Sequence, residues 1–366
     1  MKTADGMLGF ALIGCGRIAQ RHADLLGAGK ITGARLVAVC DPNAARAQEF
    51  GAKHVVPHFT DYHEMMRVSG AGIHAFVVAT PSGSHAPICL DLVRYGKHIV
   101  VEKPIALTLA EADAMIAACD KAGIRLFVVM QNRYNVPVVK LRGAVEAGSF
   151  GKLVLGTVRV RWCRTQSYYD QDAWRGTWAE DGGVFANQAS HHVDLLQWMM
   201  GDVESVFARS TTRLVDIEVE DTGVALLRFT NGALGVIEAT TAARPKDLEG
   251  SISILGEQGT VEIGGFAVNH METWNFSGVN DEQRVVLEQY RENPPDVYGF
   301  GHMRYLQDVV DCLGDRRAGA VDGREARRSL ELIVAIYESI ESGREVKLPV
   351  VTQKTQLGRR IALPAL

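Results

Sequence analysis

The chain has 366 residues, of which 47% are hydrophobic and 22% charged, a balance typical of folded domains and unlike that of disordered chains. At roughly 150 residues per domain, this length predicts two domains. Lys and Arg total 39 and Asp and Glu total 43, so the net charge of −4 excludes the strongly basic surface of a general nucleic-acid binder. No apolar run approaches the roughly 18 residues of a membrane span, and residues 1–9 lack an apolar signal core. We therefore expect a cytoplasmic protein with no nucleic-acid partner and no membrane partner.

The cysteines contain no CxxC pair and fall mostly within apolar strand or helix patterns. They are Cys15, Cys40, Cys89, Cys119, Cys163 and Cys312. This distribution predicts reduced, buried thiols and no zinc site.

The first third of the chain alternates short runs rich in Val and Ile with segments of helical periodicity. The predicted strands are residues 10–13, 36–40, 73–79, 98–101 and 126–129. The predicted helices are residues 18–26, 44–50, 61–68, 86–95 and 109–121. Strands that alternate with helices predict right-handed crossovers and a doubly wound parallel sheet.

The rest of the chain differs, because most of its strands follow one another with short turns. A helix at 136–147 and a strand at 153–162 lead through a polar, aromatic loop to a helix at 184–200. The later strands are predicted at 203–213, 222–229, 233–239, 250–255 and 260–263. Asn231-Gly232, between two of these strands, is typical of a hairpin. The last predicted helices are 297–312 and 324–342, the second capped by Asp322.

This change of pattern divides the chain into two α/β domains. We place the first over residues 1–130 and the second over residues 131–366, with a tail that can return to the first domain. Successive strands joined by turns predict a large, open, mostly antiparallel sheet in the second domain.

A glycine-rich turn lies between the first strand and the first helix. The run Gly14-Cys15-Gly16-Arg17-Ile18-Ala19 has the form G-x-G-x-x-[GA]. Here Gly14 allows the tight turn, Gly16 lets a pyrophosphate approach the backbone, and Ala19 lets the helix pack closely on the strand. The first turn of the helix then offers N–H donors to the phosphates. Asp41 ends the second strand about 20 residues later, where a carboxylate binds the ribose hydroxyls and repels a 2′-phosphate, so the predicted cofactor is NAD rather than NADP.

Two further motifs follow the third and fourth strands, at Thr80-Pro81 and Glu102-Lys103-Pro104. Open parallel sheets bind ligands outside the carboxyl ends of their strands, so both motifs are predicted to line the cofactor cleft. A lysine held against an apolar cleft and a cofactor loses solvation and can then exchange protons, which makes Lys103 a candidate catalytic residue. The alternative is a surface ion pair between Lys103 and Glu102.

A second group of polar residues begins at Asp181-Gly182-Gly183. Glycines here let the backbone approach a ligand, and on the predicted helix Asn187 and His191 lie one turn apart on one face. His191 is therefore a candidate base that Asp194 could orient, whereas His192 points away and is interpreted as structural. No metal site is predicted, because adjacent His191 and His192 cannot face one ion from a single helix face.

Residues 159–178 are rich in arginine and aromatic side chains. They contain Arg159, Arg161, Arg164 and Arg175, together with Trp162, Tyr168, Tyr169, Trp174 and Trp178. Arginine forks suit carboxylate and phosphate, and aromatic faces suit sugar and base rings. We interpret this stretch as a site for an anionic, ring-bearing substrate. The alternative is a solvated strand face beside a packed aromatic loop.

Together these motifs resemble those of the Gfo/Idh/MocA family, which includes glucose–fructose oxidoreductase and inositol dehydrogenase, over nearly the whole chain. The resemblance rests on the glycine-rich turn, Thr80-Pro81 with His85, Glu102-Lys103-Pro104, and Gly182-Gly183 with His191 and Asp194. It implies a Rossmann domain, NAD or NADP as cofactor, sugars or cyclitols as substrates, and dimers or tetramers built through the sheet of the second domain.

The same resemblance implies roles for single residues. Lys103 and His191 match the catalytic lysine and histidine of the family. The cofactor contacts that it adds to the glycine-rich turn and Asp41 are Thr80, Pro81, His85, Glu102 and Lys103. Many members carry Asp where this chain has Asn187, so the proton-abstracting role is left to His191 or Lys103.

A narrower resemblance is to UDP-N-acetyl-2-amino-2-deoxyglucuronate dehydrogenases, which oxidise the 3-hydroxyl of a UDP-linked acetamido-uronic acid for surface polysaccharide or glycan synthesis. It rests on residues 161–170, on Trp174-Arg175-Gly176-Thr177-Trp178, and on Asn187-Gln188-Ala189. The substrate-binding residues that it implies are Arg133, Arg161, Arg164, Tyr168, Tyr169, Trp174, Arg175, Asn187, Gln188 and His191. Three alternatives stay open: an inositol or free-sugar dehydrogenase, a redox-assisted glycosidase on the same fold, and a non-catalytic NAD(H) sensor.

Overall fold

The computed structural model describes residues 6–278, 281–290, 299–315, 319 and 321–359. Within these residues the chain forms two compact units. The first contains the chain up to residue 106, residues 110–130 and residues 302–327, and the second contains residues 107–109, 131–301 and the chain from residue 328. No helix in this described part is both long and apolar enough to cross a membrane.

The first unit contains a six-stranded parallel sheet with the strand order β3-β2-β1-β4-β5-β6. Its strands are β1 (Leu8–Ile13), β2 (Ala34–Cys40), β3 (His58–Phe59), β4 (Ala75–Val78), β5 (His98–Val101) and β6 (Leu126–Val128). The helices that alternate with them are α1 (Arg17–Gly27), α2 (Ala44–His54), α3 (Tyr62–Ser69), α4 (His85–Leu92) and α5 (Leu109–Lys121). The predicted doubly wound parallel sheet is confirmed.

The central strands of this sheet are buried along their whole length, as continuous apolar runs predict for a parallel sheet. The core contains the thiols of Cys15, Cys40, Cys89 and Cys119, and burial raises the pKa of both Cys15 and Cys40 to about 12. The strand β3 was not predicted, because two residues carry no measurable periodicity.

The second unit contains an eight-stranded sheet with the order β13-β12-β11-β7-β10-β9-β8-β14. Its strands are β7 (Leu153–Arg161), β8 (Val203–Thr211), β9 (Thr222–Phe229), β10 (Leu234–Thr240), β11 (Glu249–Gly256), β12 (Gly259–Gly264), β13 (His270–Phe276) and β14 (Val346–Lys347). Its neighbours pair antiparallel except β7 and β10, which run parallel, so the predicted mostly antiparallel sheet is confirmed. The strands β13 and β14 were not predicted.

The remaining helices are α6 (Val136–Glu146), α7 (Gln166–Tyr169), α8 (Ser190–Met200), α9 (Asp281–Gln289), α10 (Gly301–Asp315) and α11 (Gly323–Ser342). The Asp322 carboxylate accepts a hydrogen bond from Glu325 N at 3.0 Å, which confirms the predicted cap of α11. The predicted helix start at 297 lies outside the described residues. The hairpin at Asn231-Gly232 is confirmed, since Gly232 joins β9 to antiparallel β10 with φ +87°.

Candidate active site

The glycine-rich turn has the geometry of an anion-binding helix start. Gly14 has φ +90°, and a Cβ atom there would lie 2.5 Å from the carbonyl oxygen of Ala79. Gly16 is the N-cap of α1 and contributes no capping side chain. A Cβ added at Gly16 would meet no atom of the described chain within 4 Å. The start of α1 is therefore open beside Gly16, and this leaves room for a pyrophosphate to approach the first N–H groups of the helix.

Asp41 is buried beside this turn, with 6% of its surface exposed. Its Oδ2 accepts a hydrogen bond from Cys15 N at 2.7 Å, and its Oδ1 accepts one from Asn43 N at 2.8 Å. A carboxylate oxygen can accept more than one hydrogen bond, so both oxygens keep capacity for the hydroxyls of a ribose. The residues present thus fit NAD, and a 2′-phosphate would meet a buried carboxylate.

His85 joins the two segments that follow β4 and β5. Its ring nitrogens lie 2.8 Å from the carbonyl oxygen of Pro104 and 3.0 Å from that of Thr80. Burial lowers the pKa of His85, so the neutral ring carries one N–H and donates to one carbonyl at a time. Ser84 Oγ also donates to Thr80 Oγ1 at 2.9 Å, which further orders this edge of the sheet.

Glu102 faces the protein interior. Its Oε1 lies 2.7 Å from His22 Nε2, and its Oε2 accepts the backbone N–H of Lys103 at 3.3 Å. Burial works against the charge of Glu102, but the hydrogen bond and the charge of His22, with smaller effects of His302 and Lys103, outweigh it and lower the pKa of Glu102. Glu102 is 5% exposed, so the interaction between Lys103 and Glu102 is not the surface ion pair of the alternative. The half-buried Lys103 instead follows an anchored strand end.

His22, Glu102 and His302 are also candidates for holding a cation, because their ligand atoms lie within 4.8 Å of one another. The 2.7 Å distance between His22 Nε2 and Glu102 Oε1 is that of a hydrogen bond. Two ligands of a tetrahedral ion, each about 2.1 Å from it, are about 3.4 Å apart. The arrangement is therefore that of a buried hydrogen-bonded pair of His22 and Glu102, with the His302 ring packed edge-on against His22 at 5.6 Å.

In the second unit, the segment before His191 differs from the prediction. The helix α8 begins at Ser190, and residues 184–189 form turns in which Asn187 N donates to Gly183 O at 3.0 Å and Ala189 N donates to Val184 O at 2.7 Å. Asn187 and His191 are therefore not one turn apart on a single helix, and that prediction is wrong. Asn187 Nδ2 instead donates to Oδ1 of Asp181.

His191 is 7% exposed, and its Nε2 lies 2.8 Å from the amide Nε2 of Gln131. The amide NH2 of Gln131 donates to Nε2 of the ring, so the neutral form of the ring carries its proton on Nδ1. Asp194, expected to orient this ring, accepts two hydrogen bonds from Arg133, at 2.7 and 2.6 Å, and one from Ser329 at 2.5 Å. His192 is fully buried, which lowers its pKa to about 4, in line with its structural interpretation.

The basic and aromatic stretch divides into two groups. Arg161 binds Glu238 through two hydrogen bonds of 2.6 and 2.7 Å, and Arg159 forms ion pairs of 2.9 Å with Glu249 and with Glu262. The hydrogen bond and charge of Glu238 raise the pKa of Arg161. These two arginines thus belong to a salt-bridge network on the face of the sheet.

The other group, which we call the arginine–aromatic cluster, consists of Arg164, Tyr168, Trp174 and Arg175. The Arg175 guanidinium lies 4.4 Å from the ring centre of Trp174 and 4.7 Å from that of Tyr168, whose hydroxyl accepts its Nη1 at 2.7 Å. Arg164 lies 5.3 Å from the same tyrosine ring. Both guanidinium groups pair with an aspartate, Asp172 for Arg175 and Asp247 for Arg164. With five N–H donors each, these pairs do not exhaust their capacity.

The other predicted substrate residues are placed as follows. Arg133 is 8% exposed, and besides Asp194 its guanidinium contacts the Trp198 ring at 4.7 Å. Tyr169 is buried, with its hydroxyl 3.3 Å from Thr241 Oγ1. Gln188 is buried, and its Nε2 has no hydrogen-bond partner among the described residues. Gln131 was not predicted, although it lies three residues after β6 and so falls under the same strand-end rule that identified Lys103.

Comparison with known proteins decides the family. The profile of the NAD-binding Rossmann fold of the Gfo/Idh/MocA oxidoreductases matches residues 8–130, and that of their C-terminal alpha/beta domain matches residues 142–348. The chain belongs to the Gfo/Idh/MocA family. It is an NAD-dependent dehydrogenase that acts on CH–OH groups, and its first unit is an NAD-binding Rossmann domain, which confirms the predicted family, enzyme class and cofactor.

Two kinds of protein within the family are similar to this chain. The WlbA dehydrogenase of Bordetella pertussis, solved with NADH and UDP-GlcNAcA, is 43% identical with a TM-score of 0.88, over 94% of this chain and 99% of that one. WlbA of Chromobacterium violaceum, solved with the same two ligands, is 39% identical with a TM-score of 0.88, over 96% and 99% of the chains. The myo-inositol 2-dehydrogenase of Thermotoga maritima is 31% identical over 93% of this chain and 98% of that protein.

Replacing Asp41 by Asn is expected to shift the preference between coenzymes. The Asn side chain keeps one oxygen that can accept the Cys15 N–H, so this bond of the turn is retained, while the charge and the acceptor for Asn43 N are lost. Because a hydrogen bond to a charged group contributes about 1.5–3 kcal/mol, KM for NAD⁺ should rise about tenfold or more. The check is the ratio of kcat/KM for NADP⁺ to that for NAD⁺. An unchanged ratio would show that Asp41 does not contact the ribose.

Proposed function

We propose that this NAD-dependent sugar or polyol dehydrogenase oxidises the 3-hydroxyl of UDP-N-acetylglucosaminuronic acid (UDP-GlcNAcA) in the synthesis of a surface polysaccharide or glycan. The observation that carries the proposal is the arginine–aromatic cluster. Two guanidinium groups stacked on aromatic rings match a ligand that combines carboxylate and pyrophosphate with sugar and base rings. The likeness to two WlbA dehydrogenases solved with UDP-GlcNAcA supports the same substrate.

Within this proposal, Arg164 and Arg175 bind the anionic groups, with Tyr168 and Trp174 beside them. Arg161 and Arg133 are assigned to structure instead, because Glu238 and Asp194 each bind them through two hydrogen bonds. A carboxylate bound in that way offsets the charge of the guanidinium and occupies two of its N–H donors, so fewer donors are left for a ligand.

The proposed chemistry assigns the proton to Lys103 or His191. Bound NAD⁺ supplies the hydride acceptor. Removal of the hydroxyl proton needs a base, and stabilisation of the developing carbonyl oxygen needs a donor, which the Lys103 ammonium group provides. Gln131 holds the His191 ring in one orientation through its 2.8 Å hydrogen bond. Glu102 and His85 act through Lys103, Thr80 and Pro104, which they anchor, rather than on the cofactor itself.

Thermal stabilisation by ligands tests the proposed substrate. The Tm of purified protein with saturating NAD⁺ is measured alone and in the presence of UDP-GlcNAcA, UDP-N-acetylglucosamine, UDP or myo-inositol. A ligand that binds only the folded state raises stability by about 2.7 kcal/mol at a concentration of 100 Kd, so a specific ligand gives a clear rise in Tm. We expect the largest rise with UDP-GlcNAcA. A rise with myo-inositol and none with any UDP compound would contradict the proposal and favour an inositol dehydrogenase, which the Thermotoga maritima relative makes the second candidate.

We also propose that the protein assembles into a homodimer or homotetramer through the open face of its eight-stranded sheet. Strand register places Leu226 opposite Val236, and Leu234 opposite Leu155, on the same face. Leu226 is 54% exposed and Leu234 56% exposed. The salt-bridge network of Arg159 and Arg161 adjoins them and carries both signs of charge, so the face is complementary to a second copy of itself.

Replacing Leu226 by Glu is expected to convert the oligomer to monomers, since it places a charge in an apolar contact. Sedimentation velocity measures the outcome. The exposed Leu248, 65% exposed and outside the sheet strands, provides the matched control Leu248→Glu, which should keep the oligomer. Unmodified protein that sediments as a monomer would overturn this proposal.

A further inference from the structure

The segment that leads into Asn187 and α8 is held by three successive backbone N–H groups. Gly183 N donates to the hydroxyl of Tyr337 at 2.9 Å. Val184 N donates to the carbonyl oxygen of Glu220 at 3.1 Å, and Phe185 N donates to Oε1 of the same residue at 3.1 Å. Tyr337 closes the arrangement by donating its hydroxyl to Glu220 Oε1 at 2.8 Å. The Tyr337 phenol from α11 thus binds the first of three consecutive amides, and Glu220, from the chain before β9, binds the second through its backbone carbonyl and the third through its carboxyl group.

The fit around these groups leaves room only for glycine at residue 183. A Cβ atom there would lie 2.0 Å from Oε2 of Glu220, far inside van der Waals contact. Gly182 has φ +79°, and a Cβ there would lie 2.6 Å from that of Ala186. Gly183 therefore allows close packing of the backbone against Glu220, and Gly182 allows it against Ala186; the ligand approach that the sequence suggested stays a prediction.

The anchored residues in turn fix the start of α8. Gly183, bound through its N–H to Tyr337, accepts Asn187 N at 3.0 Å through its carbonyl oxygen. Val184, bound to Glu220, accepts Ala189 N at 2.7 Å. His191 follows within the first turn of α8. One short chain of hydrogen bonds thus leads from the Tyr337 hydroxyl to Asn187, and a second leads from the backbone carbonyl of Glu220 to the turn that carries His191.

We propose that Glu220 and Tyr337 are positioning residues of the active site, which hold residues 182–187 and thereby orient Asn187 and His191, and that ionisation of Glu220 loosens this hold. The inference rests on the proposed catalytic role of His191.

The environment of Glu220 supports its role as a titrating group. Burial, with a smaller contribution from the charge of Asp181, raises its pKa to about 7, against the hydrogen bonds from Phe185 and Tyr337. Its Oε2 is buried without a hydrogen-bond partner in the described part of the chain, so it can carry the proton of the neutral form while Oε1 keeps its two donors. The ionised form places a second negative charge near Asp181, whose carboxylate binds both Asn187 and Gly176 N. Among the described residues, the titratable groups that act on Glu220 are Asp181 and Tyr337.

The sign of the effect on stability follows from this raised pKa. Between the ordinary value of 4.5 and about 7, the folded chain keeps a proton that the unfolded chain releases. Stability is therefore greatest below this window and falls as the pH rises through it. Replacement of Glu220 by Gln removes this fall of stability with pH, because the amide keeps the Oε1 acceptor and cannot ionise.

The test uses Glu220→Gln and Tyr337→Phe in the full chain, with kcat and KM measured from pH 6 to pH 8. The ratio of kcat in Glu220→Gln to kcat in the unmodified protein should rise severalfold across this range along a single titration, since the ratio cancels titrations common to both. Tyr337→Phe leaves the Gly183 N–H without its partner and should lower kcat about tenfold, with KM for NAD⁺ unchanged because the NAD residues lie in the first unit.

Ser339→Ala is the matched control, because this buried hydroxyl on the same helix binds Ala208 N instead of the 182–187 segment. It should lower Tm and leave kcat unchanged. Loss of Tm in Glu220→Gln and Tyr337→Phe with unchanged kcat and a flat ratio would overturn the inference. The assay uses whichever of UDP-GlcNAcA and myo-inositol the unmodified protein oxidises, so a wrong substrate is revealed by the unmodified protein and a wrong inference only by the variants.

Discussion

Replacing Lys103 by Met is expected to lower kcat by about 10²- to 10⁴-fold at saturating substrate, the range that a positioned acid–base group contributes. Lys103 is the second residue after β5, and its backbone N–H is bound by the inward-facing carboxylate of Glu102, which directly follows the strand. Its position is thus defined by the strand end and by the pair between Glu102 and His22. The Met side chain keeps similar length and packing while removing the ammonium group. KM for NAD⁺ should change little, because Asp41 and the glycine-rich turn are untouched.

Two further variants define what this loss means. Lys121→Met removes an exposed lysine at the end of α5 and should leave kcat unchanged. Lys103→Arg keeps a positive charge that does not release its proton, so it should restore activity only if Lys103 acts by charge alone. A strong loss in Lys103→Arg, together with an acid limb of the kcat/KM profile that disappears in His191→Gln, would assign donor and base separately. Unchanged turnover in Lys103→Met would contradict the mechanism.

Replacing Arg175 by Met is expected to raise KM for UDP-GlcNAcA by about 10- to 100-fold, since a charge-assisted hydrogen bond contributes about 1.5–3 kcal/mol. The effect should fall on KM rather than on kcat, because a group that binds a remote anion acts equally on substrate and transition state. The guanidinium is stacked on Trp174 and hydrogen-bonded to Tyr168, so its orientation is set before a ligand arrives. Steady-state kinetics with NAD⁺ saturating measures this change.

The control for Arg175 is another arginine stacked on an aromatic ring in the same unit. Arg209 lies 5.0 Å from the ring centre of Phe207 on β8 and is exposed, so Arg209→Met removes a comparable group outside the cluster. Its KM for UDP-GlcNAcA should stay unchanged. If Arg175→Met also leaves KM unchanged while Tm falls, the arginine–aromatic cluster is a structural feature and not a substrate site.

The cofactor-binding unit was predictable because its signals are local. Within the six residues 14–19, the spacing of the glycines indicates both the backbone conformation of the turn and its position between a strand and a helix. The carboxyl ends of β4 and β5 were located by the ends of two apolar runs. The short edge strand β3 was missed for the same reason, since its two residues give no local pattern.

The second unit was harder to predict because its decisive contacts join residues far apart in the chain. The sequence predicts Arg161 as an anion ligand, whereas the fold places Glu238, diagonal to it on the neighbouring strand β10, within hydrogen-bond distance. Arg133 likewise meets Asp194 across 61 residues. The apolar run at 184–186 continues the helical pattern of α8, but the anchoring of these residues by Glu220 holds them as turns. The cytoplasmic location, the oligomeric state and the division of roles between Lys103 and His191 stay predictions.

The most direct test of the account is oxidation of UDP-GlcNAcA that carries deuterium at C3 of the sugar, with NAD⁺ as acceptor. We expect NADH to form, with the deuterium recovered in its nicotinamide ring, because the proposed reaction breaks the C3–H bond and transfers the hydride directly. Unlabelled NADH would place the oxidation at another carbon. Formation of NADH from myo-inositol, with none from UDP-GlcNAcA, would contradict the proposed substrate and leave the family, the fold and the NAD site unchanged.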